Sequence, residues 1–210
     1  MPDDLNLSHG ARIRAAFHGP GIDPPPLDGD NGFGWLPQNP EVPPERAVHA
    51  AVLVPLVEHA EGHTVLLTQR TSHLKSHAGQ ISFPGGKAEP HDGSPEDTAL
   101  RETEEEIGLA RDAIEVVGRL GRRTTGSGFH VTPVVGLVRP PMTLTPDPGE
   151  VEAIFEVPLS FVLDPANHKT ETRLIRGVER EFFVMPYRDF YIWGLTARLL
   201  VALSNTLVAR

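Results

Sequence analysis

Three glutamates on one short segment, Glu102, Glu105 and Glu106, have the spacing that most directly suggests chemistry. They fall at i, i+3 and i+4, so on a helix that turns about 100° per residue they share one stripe. Carboxylates at this spacing repel one another, and a hard divalent cation would remove that repulsion. The spacing alone leaves two interpretations open, a Mg²⁺ or Mn²⁺ site or a solvated acidic helix face.

Residues on both sides of the glutamates predict that they lie on a helix. Ser94 can accept a hydrogen bond from the third helical amide, and Asp97 can complete a capping box. Pro95 suits the first helical position, and Gly108 suits the left-handed position that ends a helix. The stripe that we expect to be buried consists of Leu100, Thr103 and Ile107.

The same segment, with the glycines before it, resembles the Nudix box. The second half of that pattern matches from Arg101 to Leu109, except that Thr103 stands where an aliphatic residue is usual. The first half departs from the pattern, because Asp92 replaces a glutamate and the loop after Gly86 carries one extra residue. Three acidic residues are therefore alternative partners for Arg101, namely Asp92, Glu89 and Glu96.

A neighbouring segment looks like the signature of the coenzyme A pyrophosphatase branch of Nudix hydrolases. It reads Leu-Leu-Thr-Gln-Arg up to Arg70, then has Lys75 where arginine is usual, then Gly79 and Phe-Pro-Gly-Gly up to Gly86. Residues 128–136 and 192–197 also look like parts of that branch. The resemblance therefore covers about residues 46–200, most of the chain.

This resemblance implies metal-dependent hydrolysis of the diphosphate bond of coenzyme A or acyl-coenzyme A. The products would be 3′,5′-ADP and 4′-phosphopantetheine or its acyl derivative. One alternative is a Nudix hydrolase of ADP-ribose, NADH or another nucleoside diphosphate derivative. Another is a non-catalytic module that senses a nucleotide, although such modules commonly lose box carboxylates and this chain retains all three.

The resemblance also implies roles for individual residues in metal binding and catalysis. The expected ligands of Mg²⁺ or Mn²⁺ are Glu102, Glu105, Glu106 and the carbonyl of Gly85, where a glycine allows close approach of the backbone. The expected catalytic residues are Glu105, Glu106, Glu150 and Arg101. Among these, Arg101 would brace the loop. Glu150, which follows Pro148-Gly149, would be a general base or an auxiliary ligand, unless it is simply a solvated loop residue.

Four further residues are expected to contact the nucleotide: Arg70, Lys75, Phe83 and Gly86. Coenzyme A carries a 3′-phosphate besides its diphosphate, so its site needs cations beyond the metals. We expect Arg70 and Lys75 to supply them, since a guanidinium can bind a phosphate through two hydrogen bonds.

Composition narrows the class of protein. The chain has 210 residues, 39% of them hydrophobic, a formal net charge of -9 and no cysteine. The charge argues against nucleic acid or an acidic membrane as a partner, and the lack of cysteine excludes disulfides and a thiolate nucleophile. We expect a cytoplasmic enzyme acting on a small molecule, with monomer or homodimer left open.

The surrounding pattern predicts an α+β fold. Residues 1–45, rich in Pro and Gly, are expected to form an N-terminal arm with a short helix near Ala11–Phe17, and residues 46–210 the Nudix domain. Short β-branched runs predict strands at 50–57, 64–68, 81–83, 114–120, 130–139, 153–157 and 182–187. Periodic leucines predict a second long helix from Ile192 to about Val208. The expected architecture is a mixed sheet between helices, α/β/α.

Overall fold

The computed structural model describes residues 9–17, 19, 21, 24, 48–74, 76–125, 128–175 and 177–208. The helices of these ranges are α1 (His9–Ala16), α2 (Pro95–Ile107), α3 (Leu159–Leu163) and α4 (Gly194–Val208). The strands are β1 (Val48–His59), β2 (Gly62–Arg70), β3 (Ile81–Ser82), β4 (Gly85–Lys87), β5 (Ile114–Arg119), β6 (Arg123–Thr124), β7 (Phe129–Val138), β8 (Val151–Pro158), β9 (Lys169–Ile175), β10 (Val178–Tyr187) and β11 (Phe190–Trp193).

The main sheet is mixed, as the sequence predicts. Its order is β3-β2-β1-β7-β5, and β4, β6 and β8 pair additionally with β1, β7 and β2. Strands β1 and β7 run parallel from Val48↔Phe129 to Val57↔Val138, whereas the other pairs of this sheet are antiparallel. A separate three-stranded antiparallel sheet has the order β11-β10-β9.

Apolar residues alternate between the two faces of β1, which places helices on both sides of the sheet. Val54 and Leu56 belong to a core with α1, α3 and α4. Leu53 and Val57 belong to a second core with α2. This two-sided burial confirms the predicted α/β/α arrangement. No helix in the described ranges combines the length and apolarity needed to cross a bilayer.

The predicted hairpin, the strands later in the main sheet and the helix α2 are confirmed. Several boundaries differ, and two of these differences change the pairing of strands. Residues 85–87 form β4 against β1 instead of only ending a strand, and the C-terminal helix begins at Gly194 because Ile192 and Trp193 pair with β10. Strand β9 is not predicted by the sequence pattern, because its sequence, Lys-Thr-Glu-Thr-Arg-Leu-Ile, lacks the alternation of apolar and polar residues that marks a half-buried strand.

The short helix predicted in the N-terminal arm is present and packs on the domain. Ile13, Ala16 and Phe17 are buried in the core with α4. Arg14 donates two hydrogen bonds of 2.6 Å to the carboxylate of Glu115 on β5. The division of the chain at residue 45 stays a prediction, but α1 shares its core with the residues beyond it; most of 18–47 lies outside the described residues.

The chain after α1 contacts the first turn of α2. The Gly19 amide donates to the carbonyl of Val117 at 3.1 Å, and the Gly21 amide donates to Oε1 of Glu96 at 3.1 Å. Arg119 donates to both oxygens of Glu96 at 2.7 and 2.6 Å. Burial works to raise the pKa of Glu96, but these hydrogen bonds outweigh it and lower the pKa. A buried ion pair thus joins the arm, β5 and α2.

Replacing Glu96 by Gln should lower the free energy of unfolding by about 3 kcal/mol at pH 7, because it removes the carboxylate that accepts two hydrogen bonds from the buried Arg119. The pKa of Glu96 is lower in the folded state, so its contribution is present above about pH 4.3 and is lost as the pH falls further. Urea unfolding at several pH values measures this. The exposed Glu104→Gln is the control; equal stabilities of the two variants at pH 7 would contradict the role of Glu96.

Candidate functional site

A glycine pair brings the loop before α2 close to the sheet. Gly85 has φ +148°, and a Cβ atom there would lie 2.6 Å from Cα of Val52 on β1. Only glycine permits this approach. The Gly85 amide donates to Oε2 of Glu106 at 3.1 Å. Strand β4 therefore directs a backbone donor at a carboxylate of α2.

Gly86 plays a matching role for the neighbouring carboxylate. A Cβ atom at Gly86 would lie 2.5 Å from Cδ of Glu102. Any larger residue would displace this carboxylate from the surface of β4. The prediction that Gly86 contacts the nucleotide stays a prediction, whereas its contact with Glu102 is part of the structure.

Glu106 is the buried carboxylate of the site, with a side chain that is 5% exposed. Burial raises its pKa to about 7, and the charges of Glu150 and Glu102 add to the increase. The Gly85 amide and Arg70 oppose the shift. Burial also raises the pKa of Glu102, against the effect of Arg101. Three carboxylates therefore lie close enough to destabilise one another's charge.

Arg101 has Asp92 as its principal partner, which decides among the three alternatives. Its Nε and Nη2 donate to the two carboxylate oxygens of Asp92 at 3.1 and 3.0 Å, and Nη2 also donates to the carbonyl of Lys87. These hydrogen bonds hold the pKa of the Asp92 carboxyl well below its usual range. Of the other two, Glu96 pairs with Arg119. Arg101 thus braces the irregular loop, as the resemblance implies.

Arg70 lies between two of the predicted catalytic carboxylates. Its Nη1 is 3.4 Å from Oε1 of Glu106, and its Nη2 is 3.6 Å from Oε2 of Glu150. The Thr71 amide donates to the carbonyl of Glu150 at 2.9 Å. The structure therefore brings Glu150, distant in sequence, to the buried glutamate of α2 and places Arg70 within the acidic cluster.

The loop that delivers Glu150 is fastened to the end of α2 by residues that the sequence analysis missed. The Asp147 amide donates to the carbonyl of Glu106 at 2.8 Å, and the Thr145 amide donates to that of Ile107 at 2.8 Å. The Asp147 side chain accepts from the Gly149 amide at 2.7 Å. The Asp-Pro-Gly turn sequence at 147–149 was the available signal.

The donor set fits a hard divalent cation, although the side chains are not gathered around one point. Within the described ranges no group of three or more His, Asp or Glu side chains is arranged to hold a metal ion. Glu102 and Glu105 both accept from Nη1 of Arg101 at 3.0 Å, and Glu105 is 61% exposed. Glu102 and Glu106, oxygen donors with raised pKa values, have the chemistry that Mg²⁺ requires.

Two further predicted nucleotide contacts, Phe83 and Lys75, stay predictions. Phe83 is 3% exposed and packs in the core with β2 and α4 residues. As the first residue after β3 it turns inward to fill the core, and its contact with the nucleotide stays a prediction. Lys75 lies outside the described residues. In the same loop, Nδ1 of His77 donates to Oε1 of Gln80 at 2.8 Å.

Comparison with known proteins places these residues in a family context. Residues 47–177 match the NUDIX domain. The chain is 44% identical over 157 residues to the Nudix hydrolase NudL of Yersinia enterocolitica, covering 75% of this chain and 80% of the relative. It is 41% identical over 170 residues to NudL of Photorhabdus laumondii, covering 81% and 90%. Neither name states a substrate.

Solved structures give a weaker likeness. A MutT/nudix family protein from Enterococcus faecalis has a TM-score of 0.49 at 19% identity, covering 78% of this chain and 63% of the other. The C. elegans Ap4A hydrolase has a TM-score of 0.46 at 20% identity, covering 53% and 80%. Family membership therefore depends on the sequence matches.

Replacing Glu106 by Gln tests the buried carboxylate. Because its pKa is about 7 when folded and about 4.3 when unfolded, its charge destabilises the fold increasingly from pH 4.3 to 7 and fully above that. The variant should therefore stabilise the metal-free protein at pH 8 by up to about 4 kcal/mol. It should also lose the rise in Tm on adding Mg²⁺ or Mn²⁺. The control variant Glu104→Gln should keep this rise in Tm. If Glu106→Gln also kept it, Glu106 would not be a metal ligand.

Proposed function

This chain belongs to the NUDIX domain family, and we propose that its substrate is coenzyme A or an acyl-coenzyme A. As a Nudix hydrolase it acts on the pyrophosphate bond of a nucleoside diphosphate derivative. Water adds to one phosphorus, the bridging oxygen leaves with the other, and the products are 3′,5′-ADP and 4′-phosphopantetheine or its acyl form. The single observation that carries a hydrolytic site is the convergence of Glu106 and Glu150 on the guanidinium of Arg70, with Glu102 on the same helix as Glu106.

Glu102 and Glu106, with Glu105 and the carbonyl of Gly85, would hold the cations. Bound Mg²⁺ or Mn²⁺ would supply charge neutralisation at the diphosphate oxygens. To join these ligands Glu105 would give up its contact with Arg101, and losing that contact would cost little because the Glu105 side chain is exposed. Arg101 itself remains tied to Asp92 and keeps the loop in place.

Glu150 is the proposed proton acceptor for the attacking water. Its side chain is 49% exposed, so the carboxylate is accessible to water. The loop at 145–150, hydrogen-bonded to the end of α2, fixes its backbone beside Glu106. Glu106, by contrast, is buried from water, so it is better suited to bind a cation than to accept a proton from water.

Arg70 has a position that fits the diphosphate better than the 3′-phosphate. It lies within the carboxylate cluster, and its backbone is fixed on both sides: its amide donates to the carbonyl of Gln80, and its carbonyl accepts from the Gly79 amide. From this position the guanidinium would donate to an oxygen of the diphosphate. The coenzyme A signature thus forms a closed hairpin loop that presents Arg70.

Preference for coenzyme A is supported by that signature, from Leu66 to Gly86, and is tested by a substrate panel. With Mg²⁺ or Mn²⁺, coenzyme A and acyl-coenzyme A should be cleaved with a kcat/KM at least about tenfold above ADP-ribose, NADH and a diadenosine polyphosphate, since one well-placed contact provides that factor. Product masses identify the bond cleaved. Faster cleavage of ADP-ribose or NADH would overturn the assignment, and no cleavage of any compound would favour a sensing module.

Replacing Arg70 by Met should lower kcat/KM for coenzyme A and for 3′-dephospho-coenzyme A by the same factor, about tenfold or more. The reason is that both compounds carry the diphosphate and only one carries the 3′-phosphate. Steady-state kinetics on the two compounds measure this. Arg139→Met, at an exposed arginine just after β7, serves as the control. A loss of kcat/KM on coenzyme A alone would show that Arg70 binds the 3′-phosphate instead.

A further inference from the structure

Arginines and aromatic rings share one face of the three-stranded sheet. Register places Arg173 of β9 directly opposite Arg180 of β10. Phe182 follows two residues later on β10, and Tyr191 and Trp193 of β11 lie opposite Pro186 and Val184. Side chains two residues apart point to the same side of a strand. We call the group Arg173, Arg180, Phe182, Tyr191 and Trp193 the arginine–aromatic face.

Arg173 is held over the rings of this face. Its Cζ lies 5.2 Å from the ring centre of Phe182 and 5.6 Å from those of Tyr191 and Trp193, within the range of cation–π attraction. Its Nη2 donates to the Tyr191 hydroxyl at 2.9 Å and to Glu171 at 3.2 Å. The guanidinium is thus positioned while its side chain stays half exposed.

Arg180, opposite Arg173, has a less favourable environment. Its Nε is buried and has no hydrogen-bond partner in the part of the chain that the structure describes. Like charges directly opposite on paired strands destabilise a sheet, and the acidic residue bound to Arg173, Glu171, neutralises one of the two charges. The face keeps a surplus of positive charge on a chain whose net charge is -9.

We propose that the arginine–aromatic face binds a phosphorylated nucleoside. Arg180 and Arg173 would donate to the phosphate, and the base would stack on the exposed ring of Tyr191, beside the half-buried Trp193. The identity of this ligand as the 3′-phosphorylated adenosine of coenzyme A rests on the proposed function. The face would then supply the cations for the 3′-phosphate, while Arg70 serves the diphosphate.

The small sheet is attached to the strands that lead to the carboxylate cluster. Thr196, just after β11, donates to the carbonyl of Ile81 at 2.9 Å, and β3 leads directly to Gly85. Phe190 of β11 stacks on Phe155 with ring centres 3.6 Å apart, and β8, which holds Phe155, begins directly after Glu150. These contacts attach β11 and the start of α4 to the strands that lead to Gly85 and follow Glu150.

Calorimetric titration of the full chain with 3′,5′-ADP in EDTA tests the proposal, since EDTA removes binding through cations at the glutamates. Arg173→Met and Arg180→Met should each weaken binding by about tenfold or more. Arg188→Met, an arginine in the β10–β11 turn, should bind like the wild type. Unchanged affinity in both variants, or no binding by the wild type, would overturn the proposal. Arg173→Met, at a half-exposed position, keeps the test valid should Arg180→Met fail to fold.

Two further measurements identify the ligand and the place where it binds. 3′,5′-ADP should bind more tightly than inorganic phosphate or adenosine alone; phosphate binding as tightly would overturn recognition of a nucleoside. In a Trp35→Phe chain the remaining tryptophan, Trp193, should change its fluorescence on titration with 3′,5′-ADP. Binding by calorimetry without that change would place the ligand elsewhere and overturn the assignment.

The two proposals can fail separately. If 3′,5′-ADP binds as described but coenzyme A is not hydrolysed, the proposed substrate is wrong and the face stands. If coenzyme A is hydrolysed and Arg173→Met and Arg180→Met leave its KM unchanged, the substrate stands and the face is wrong. A loss on coenzyme A that spares 3′-dephospho-coenzyme A would support both.

Discussion

The close approach of β4 to β1 is the constraint on which the site depends. Gly85 can adopt its left-handed conformation and lie against Val52 only because it has no side chain. This approach directs the Gly85 amide at Glu106 and leaves room at Gly86 for the carboxylate of Glu102. Two acidic side chains of one helix are thereby held against a strand instead of extending into water.

Burying these carboxylates has an energetic consequence. In the absence of a cation their charges are unfavourable, which is why the pKa of Glu106 is raised to about 7. Arg70 and Arg101 offset part of the repulsion, each by contacting two acidic side chains of the site. The protein therefore holds a destabilised acidic cluster that a divalent cation would relieve, and stability elsewhere, such as the Glu96–Arg119 pair, compensates.

Much of the fold and half of the site follow from local sequence patterns. Both ends of helix α2 were predictable because Ser94, Pro95 and Gly108 begin and end the helix through hydrogen bonds and backbone angles that involve only neighbouring residues. The sequence narrowed the acidic partner of Arg101 to three residues but could not decide among them. All three lie in the loop before α2 or in its first turn, where local patterns do not fix the backbone. The inward turn of Phe83 was not predictable, because an aromatic residue beside a glycine pair suits a core and a binding site equally well.

By itself, the sequence determined the spacing of Glu102, Glu105 and Glu106, the helix that carries them and the signature that points to coenzyme A. Only the tertiary structure decided that Arg101 pairs with Asp92 and that Arg70 and Glu150 join the cluster. It also brought Arg173 and Arg180 together. The physical reason is distance along the chain. Caps and helical stripes depend on neighbouring residues, whereas strand register and the packing of loops bring together groups whose separation in sequence leaves no local signal.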